Sequence, residues 1–203
     1  MRYKNQSLVV LSLVTIVALA QCRKNNDVIN NENPALVAEG KEIFRHDTFG
    51  DEDFWSGLLH IDKAIAGAKN GGYGPGVSPN TALAVGLKVD AEALPPNVVA
   101  AIKAGTINLN DPATTLAFLK MNAVVGIKGN FDAMGSLNSI GITCASCHST
   151  VDDSFAPGIG KRLDGWPNRD LNLGAIISLT DNAQPIADML QVNEPTLRTV
   201  LGA

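Results

Sequence analysis

The sequence predicts a mostly helical domain carrying one small β-hairpin. Helix-start signals recur along it: Asn33-Pro34 and Asp111-Pro112 each pair a capping side chain with a proline pre-set for the first turn, and Asn193 is a third cap. Apolar residues follow helical spacing, with Leu36, Val37, Ile43 and Phe44 in one stripe and Phe54, Leu58, Ile61 and Ile65 in another. The period changes late. Ala123-Val124-Val125-Gly126-Ile127 and Leu137-Asn138-Ser139-Ile140-Gly141-Ile142 read as short strands, with Gly129-Asn130 and Met134-Gly135-Ser136 as turn residues. With 203 residues, 45% of them hydrophobic, the chain can bury one sizeable core or two small ones.

The N-terminus reads as an export signal. Arg2 and Lys4 form a positive start, and residues 7–20 are apolar apart from Ser7, Ser12 and Thr15, a run too short for a comfortable membrane span. Leu19-Ala20-Gln21-Cys22 resembles a bacterial lipobox, with Gln21 departing from the usual small residue. A signal peptide over 1–21 and a lipid anchor at Cys22 are expected, with an ordinary secretory signal as the alternative. Residues 22–33 are polar and Asn-rich, which predicts a tether. The net charge of −4 gives no electrostatic footprint for nucleic acid.

In chain order, a first helix is expected from the Asn33 cap through Phe44, an acidic loop over 47–53, and a helix over 53–68 with His60 off its apolar face. Residues 69–79 contain four glycines and two prolines, which preclude regular structure. They lack the Lys-Ser/Thr ending of a phosphate loop. Helices follow over 80–87, over 97–104 up to Gly105, and over 112–121. The hairpin comes next, and two short helices over 185–190 and 193–201 end the reading. Residues 34–203 thus form the domain, with 52–121 as an added helical segment.

The hairpin's second strand runs into Cys144-Ala145-Ser146-Cys147-His148, a C-x-x-C-H sequence and the attachment signature of a c-type haem. Thiols two residues apart can each add to one of two vinyl groups on a porphyrin edge. The next residue then falls beneath the iron, where an imidazole nitrogen binds it. Cys144 and Cys147 are therefore the expected thioether residues and His148 the proximal iron ligand. A zinc site would need a fourth ligand that no second cysteine pair or His-x-x-x-His supplies. A thioredoxin-like pair should lie in a βαβ pattern, and none is visible. Arg162, Arg169 and the Trp166 indole N–H are donors expected to meet haem propionates.

Gly40-Lys41-Glu42-Ile43-Phe44 resembles the opening helix of c-type cytochromes and di-haem peroxidases. More widely, that segment, residues 47–52, residues 74–79 and residues 144–160 resemble stretches of bacterial cytochrome c family proteins. The resemblance covers most of the chain from Gly40 to about Leu201, and such proteins often continue further, so a short or truncated member is expected. It implies a cytochrome c-like fold, one covalent haem and electron transfer with a redox partner protein; it names no substrate. It also implies that the Pro157 carbonyl accepts the second ring N–H of His148, and that a methionine after the motif, Met189, is the distal ligand. Met134, Met121, His60, His46 or an open site are alternatives. An open site would suit a peroxidase-like enzyme, for which Asp152, Asp153 and Glu52 are the only acid/base candidates. Di-haem peroxidases carry two attachment motifs; this chain carries one.

Overall fold

A computed structural model describes residues 33–202. The expected signal peptide, the lipobox at Cys22 and all but the last residue of the tether lie outside the described residues. The chain divides into two compact units, one ending at Lys41 and the other beginning at Glu42. Of the first, the described part is the opening of helix α1 (Pro34–His46), where the Ala35 N–H donates to Asn33 Oδ1 at 3.1 Å.

The second unit corrects the expected mostly helical, cytochrome c-like architecture. Helices and strands are mixed throughout. After α1 come α2 (Ile61–Ala66), α3 (Pro79–Ala84), β1 (Val89–Asp90), α4 (Pro96–Lys103), α5 (Pro112–Lys120), β2 (Ile127–Phe131) and β3 (Leu137–Ile142). Then follow α6 (Ala145–His148), β4 (Ser149–Val151), β5 (Ile159–Gly160), β6 (Arg162–Asp164), α7 (Leu173–Ile177), α8 (Gln184–Met189) and α9 (Glu194–Leu201). Among the described residues the strands form three two-stranded sheets: β1 with β5 in parallel, β2 with β3 and β4 with β6 antiparallel. Strands of two or three residues carry no readable alternation, and Val89 finds its partner Ile159 far along the chain.

One apolar cluster joins these pieces. Trp55, Leu59, Ile61, Phe118 and Leu119 pack with Val124, Leu137, Ile140 and Ile159. Residues from the segment expected as an added helical part therefore share a core with β3 and β5.

Caps at Ser78, Asp111 and Asn193 form as their sequences require, each side chain accepting a first-turn N–H. The helix expected over 53–68 is broken instead. A π-helical turn over Asp53–Leu58 ends at Leu59, and His60 adopts φ 54° before α2 starts. The carbonyls of Leu58 and Leu59 are taken by the side chains of Asn182 and Thr180, so tertiary partners replace helical ones.

The hairpin is present but displaced. β2 starts at Ile127, where the expected strand ended, and Gly129-Asn130 lie inside it. The turn is made by Asp132, whose Oδ1 accepts the N–H groups of Met134 and Ser136. Residues 123–125 are held by the chain leading into and along β1, through Asp90 N to Ala123 O and Val125 N to Lys88 O.

Candidate functional site

Strand β3 delivers the chain to Thr143, whose N–H donates to Gly126 O at 3.0 Å. Cys144 then caps α6, a single turn. Its spacing decides which side chains face out. Cys144, Cys147 and His148 stand at i, i+3 and i+4, the positions that share a helix face, and all three are exposed. Ala145 and Ser146 turn inward. Ala145 packs with Val125, Val151 and Phe44, while Ser146 Oγ donates to Gly126 O.

Gly126 is required here. Its φ is 78°, and a Cβ on it would lie 2.2 Å from Ser146 Cα. The inner face of the motif therefore rests directly on backbone.

Two chain segments are tied to the motif's backbone. On the entering side, Thr48 bridges Thr143 and the Phe49 N–H donates to Ile142 O at 3.0 Å. On the leaving side, Gly165 N donates to His148 O at 2.8 Å and Asn168 N to Cys147 O at 2.9 Å. Asn168 Nδ2 also reaches Gly86 O at 3.0 Å and Ser146 O at 3.4 Å. Trp166 lies between Gly165 and Asn168.

Beneath this face Asp164 gathers three donors. Ser149 Oγ donates to Oδ1 at 2.8 Å, Arg162 Nε to Oδ1 at 2.8 Å, and Arg45 Nε to Oδ2 at 2.7 Å. Burial works to raise the Asp164 pKa, but these hydrogen bonds and the two guanidinium charges hold it below the usual carboxylate range. Burial lowers the pKa of Arg162. The imidazole of His46, on α1, is likewise pushed down by burial, and the cations Lys128, Arg162 and Arg45 add to this against Glu42.

The other sequence candidates fall in varied places. Arg162, expected to reach outward to a propionate, is turned inward, with only 2% of its side chain exposed. Pro157 is exposed in a loop whose next residue, Gly158, accepts from Val89 N; no described hydrogen bond joins it to His148. Arg169 and Trp166 are exposed. Met189 is 73% exposed at the end of α8, and no described hydrogen bond or apolar cluster joins it to the motif. Met134 protrudes from the hairpin turn, and Met121 lines a cleft with Arg45, His46 and Asp90. His60 Nδ1 lies 3.2 Å from Asp181 Oδ1.

The acid/base candidates are occupied in the fold. Asp152 Oδ1 accepts from Ser154 N and Lys161 N, and hydrogen bonding from the Ser154 hydroxyl, then from these N–H groups, lowers its pKa. Asp153, at φ 55°, accepts from Gly158 N at 2.7 Å, and Glu52 accepts from Thr48 Oγ1.

The residues at the motif fit a covalently held porphyrin in their chemistry. Two thiols and one imidazole are exposed on one helical turn. Among the described residues, no three His, Cys, Asp or Glu side chains converge to hold a bare metal ion. Thr143 Oγ1 and Asn168 Oδ1, on either side of the motif, are buried without a partner and keep hydrogen-bonding capacity there. Sequence reasoning passed over Gly126, Asp164, Asn168 and Phe49. Only Asp164-Gly165, a turn pair after a short β-like run, carried a readable signal. Comparison with protein-family models, with curated proteins and with solved structures gave no match.

Proposed function

We propose that this chain is an exported c-type cytochrome that carries one covalent haem and transfers single electrons. The observation that carries the reading is the disposition of C-x-x-C-H: Cys144, Cys147 and His148 share one exposed face, while Ala145 and Ser146 fix the turn from below. When bound, the porphyrin iron supplies a reversible one-electron couple. Cys144 and Cys147 would hold it, each S–H adding across one vinyl group to give one thioether, with no oxidant consumed. His148 offers a ring nitrogen to the iron. Carriage requires no nucleophile or proton donor, and Asp152 and Asp153 are engaged in holding their loop. Met189 as a further iron ligand remains part of this reading on the resemblance alone.

The same reading takes residues 1–21 as a signal peptide and Cys22 as the site of a lipid anchor, which would hold the domain at a bacterial envelope membrane where a redox partner protein reaches it.

Intact-mass spectrometry tests it, on the full chain produced in a host with c-type assembly machinery. The expected result is one added haem, lost in Cys144→Ser/Cys147→Ser, and a reversible change of the visible spectrum on reduction. A colourless chain with both thiols free or joined to each other would overturn it.

A further inference from the structure

Phe49 and Trp166 are the two most exposed of the chain's eight Phe and Trp side chains, at 67% and 62%. Both stand beside the motif. Phe49 is tied to the strand entering it through its N–H to Ile142 O, two residues before Cys144. Trp166 is tied to the turn leaving it, between the Gly165 bond to His148 O and the Asn168 bond to Cys147 O. The backbone is thus fixed on both sides, while the two rings are left in water. Aromatic rings have large apolar surfaces, and burying them is favourable when a matching surface is offered.

We propose that Phe49 and Trp166 are the apolar contacts that cover the group held by Cys144, Cys147 and His148, which is carried on an open face of the domain. The proposal rests on the haem reading above. Three features select this occupant over a protein partner. The two residues belong to the segments that meet the motif's backbone, one at the strand entering the helical turn and one just after it. They are anchored to that turn's own backbone and flanking strand, so attachment through the thiols brings a flat aromatic group to this patch. The motif's inner face is already filled by Ala145, Ser146 and Gly126 backbone, which leaves the outer face as the only side open to it.

The test compares thermal unfolding of the loaded chain with that of the unloaded Cys144→Ala/Cys147→Ala chain, each with Phe49→Ala, Trp166→Ala or Trp166→Phe added. Intact mass reports loading. In the unloaded chain the rings are exposed, so the two alanine variants should shift Tm by no more than about 2 °C. In the loaded chain each alanine variant should lower Tm by roughly 3 °C or more and shift the haem absorption band, while Trp166→Phe retains most of the stability. Equal losses in loaded and unloaded chains would overturn the proposal, because the rings would then serve only the fold. So would no loss in either, the result expected if a partner protein covers them. A parent chain that gains no haem mass would overturn this proposal and the haem reading together. A loaded parent with unresponsive variants overturns this one alone.

Discussion

Ser149 Oγ donates to Asp164 Oδ1 at 2.8 Å, so the residue immediately after His148 is held by the carboxylate that also engages Arg45 and Arg162. Three donors, one each from α1, β4 and β6, meet at one acceptor group. Arg162 is nearly fully buried, and among the described residues Asp164 is its one hydrogen-bonded carboxylate.

Replacing Asp164 by Ala leaves the Arg162 charge buried without its partner, a change that costs about 3–5 kcal/mol in comparable settings. Urea unfolding should show a loss in that range for Asp164→Ala. The loss should be smaller for Asp164→Asn, which keeps an acceptor oxygen for Ser149.

Asp164 also sets an acid limit. Its folded pKa lies below the ordinary 3.8, so the folded state favours the ionised form. The resulting stability is fully present above the unfolded pKa and is lost as pH falls through the folded value. Unfolding midpoints measured from pH 7 down to about pH 2 should therefore drop more steeply below pH 4 for the parent than for Asp164→Asn.

Gly126→Ala places a methyl group 2.2 Å from Ser146 Cα, on a residue whose φ is 78°. Neither backbone can yield without moving the turn that presents the thiols. A stability loss of roughly 2 kcal/mol or more is expected from strain and overpacking. Haem incorporation per folded chain, read by intact mass, should fall with it.

Asp153 separates a structural from an acid/base role. Its Oδ1 accepts the Gly158 N–H at 2.7 Å, and its φ is 55°. Asparagine keeps a suitable oxygen and tolerates that backbone, whereas alanine does neither. Asp153→Asn should match the parent in stability to within about 0.5 kcal/mol, while Asp153→Ala loses about 1–2 kcal/mol. Peroxide consumption should be unaltered by Asp153→Asn. A large fall there would favour the peroxidase-like alternative.

The C-x-x-C-H motif was legible as residue types at a spacing that haem attachment uses, whereas the single helical turn that puts its i, i+3 and i+4 positions on one face was not read from the sequence. The caps at Asn33, Asp111 and Asn193 were legible because each acts within three residues of itself. These are local interactions, and the sequence by itself determined them. The break at His60, the true start of the hairpin's first strand and the β1–β5 and β4–β6 sheets were not legible, while the hairpin's second strand over Leu137–Ile142 was. The first and last depend on partners distant in the chain, Thr180 for Leu59 and Ile159 for Val89, whereas the hairpin turn is local, and its Asp132 acceptor was passed over beside the expected Met134-Gly135-Ser136. Arg162 and Trp166 show the same division, since both read as donors and only packing decided that one turns inward to Asp164 while the other stays in water. Residue type and spacing determined which chemistry the turn can present. The tertiary structure decided what surrounds it, because burial and long-range hydrogen bonds are properties of neighbours that no local pattern names.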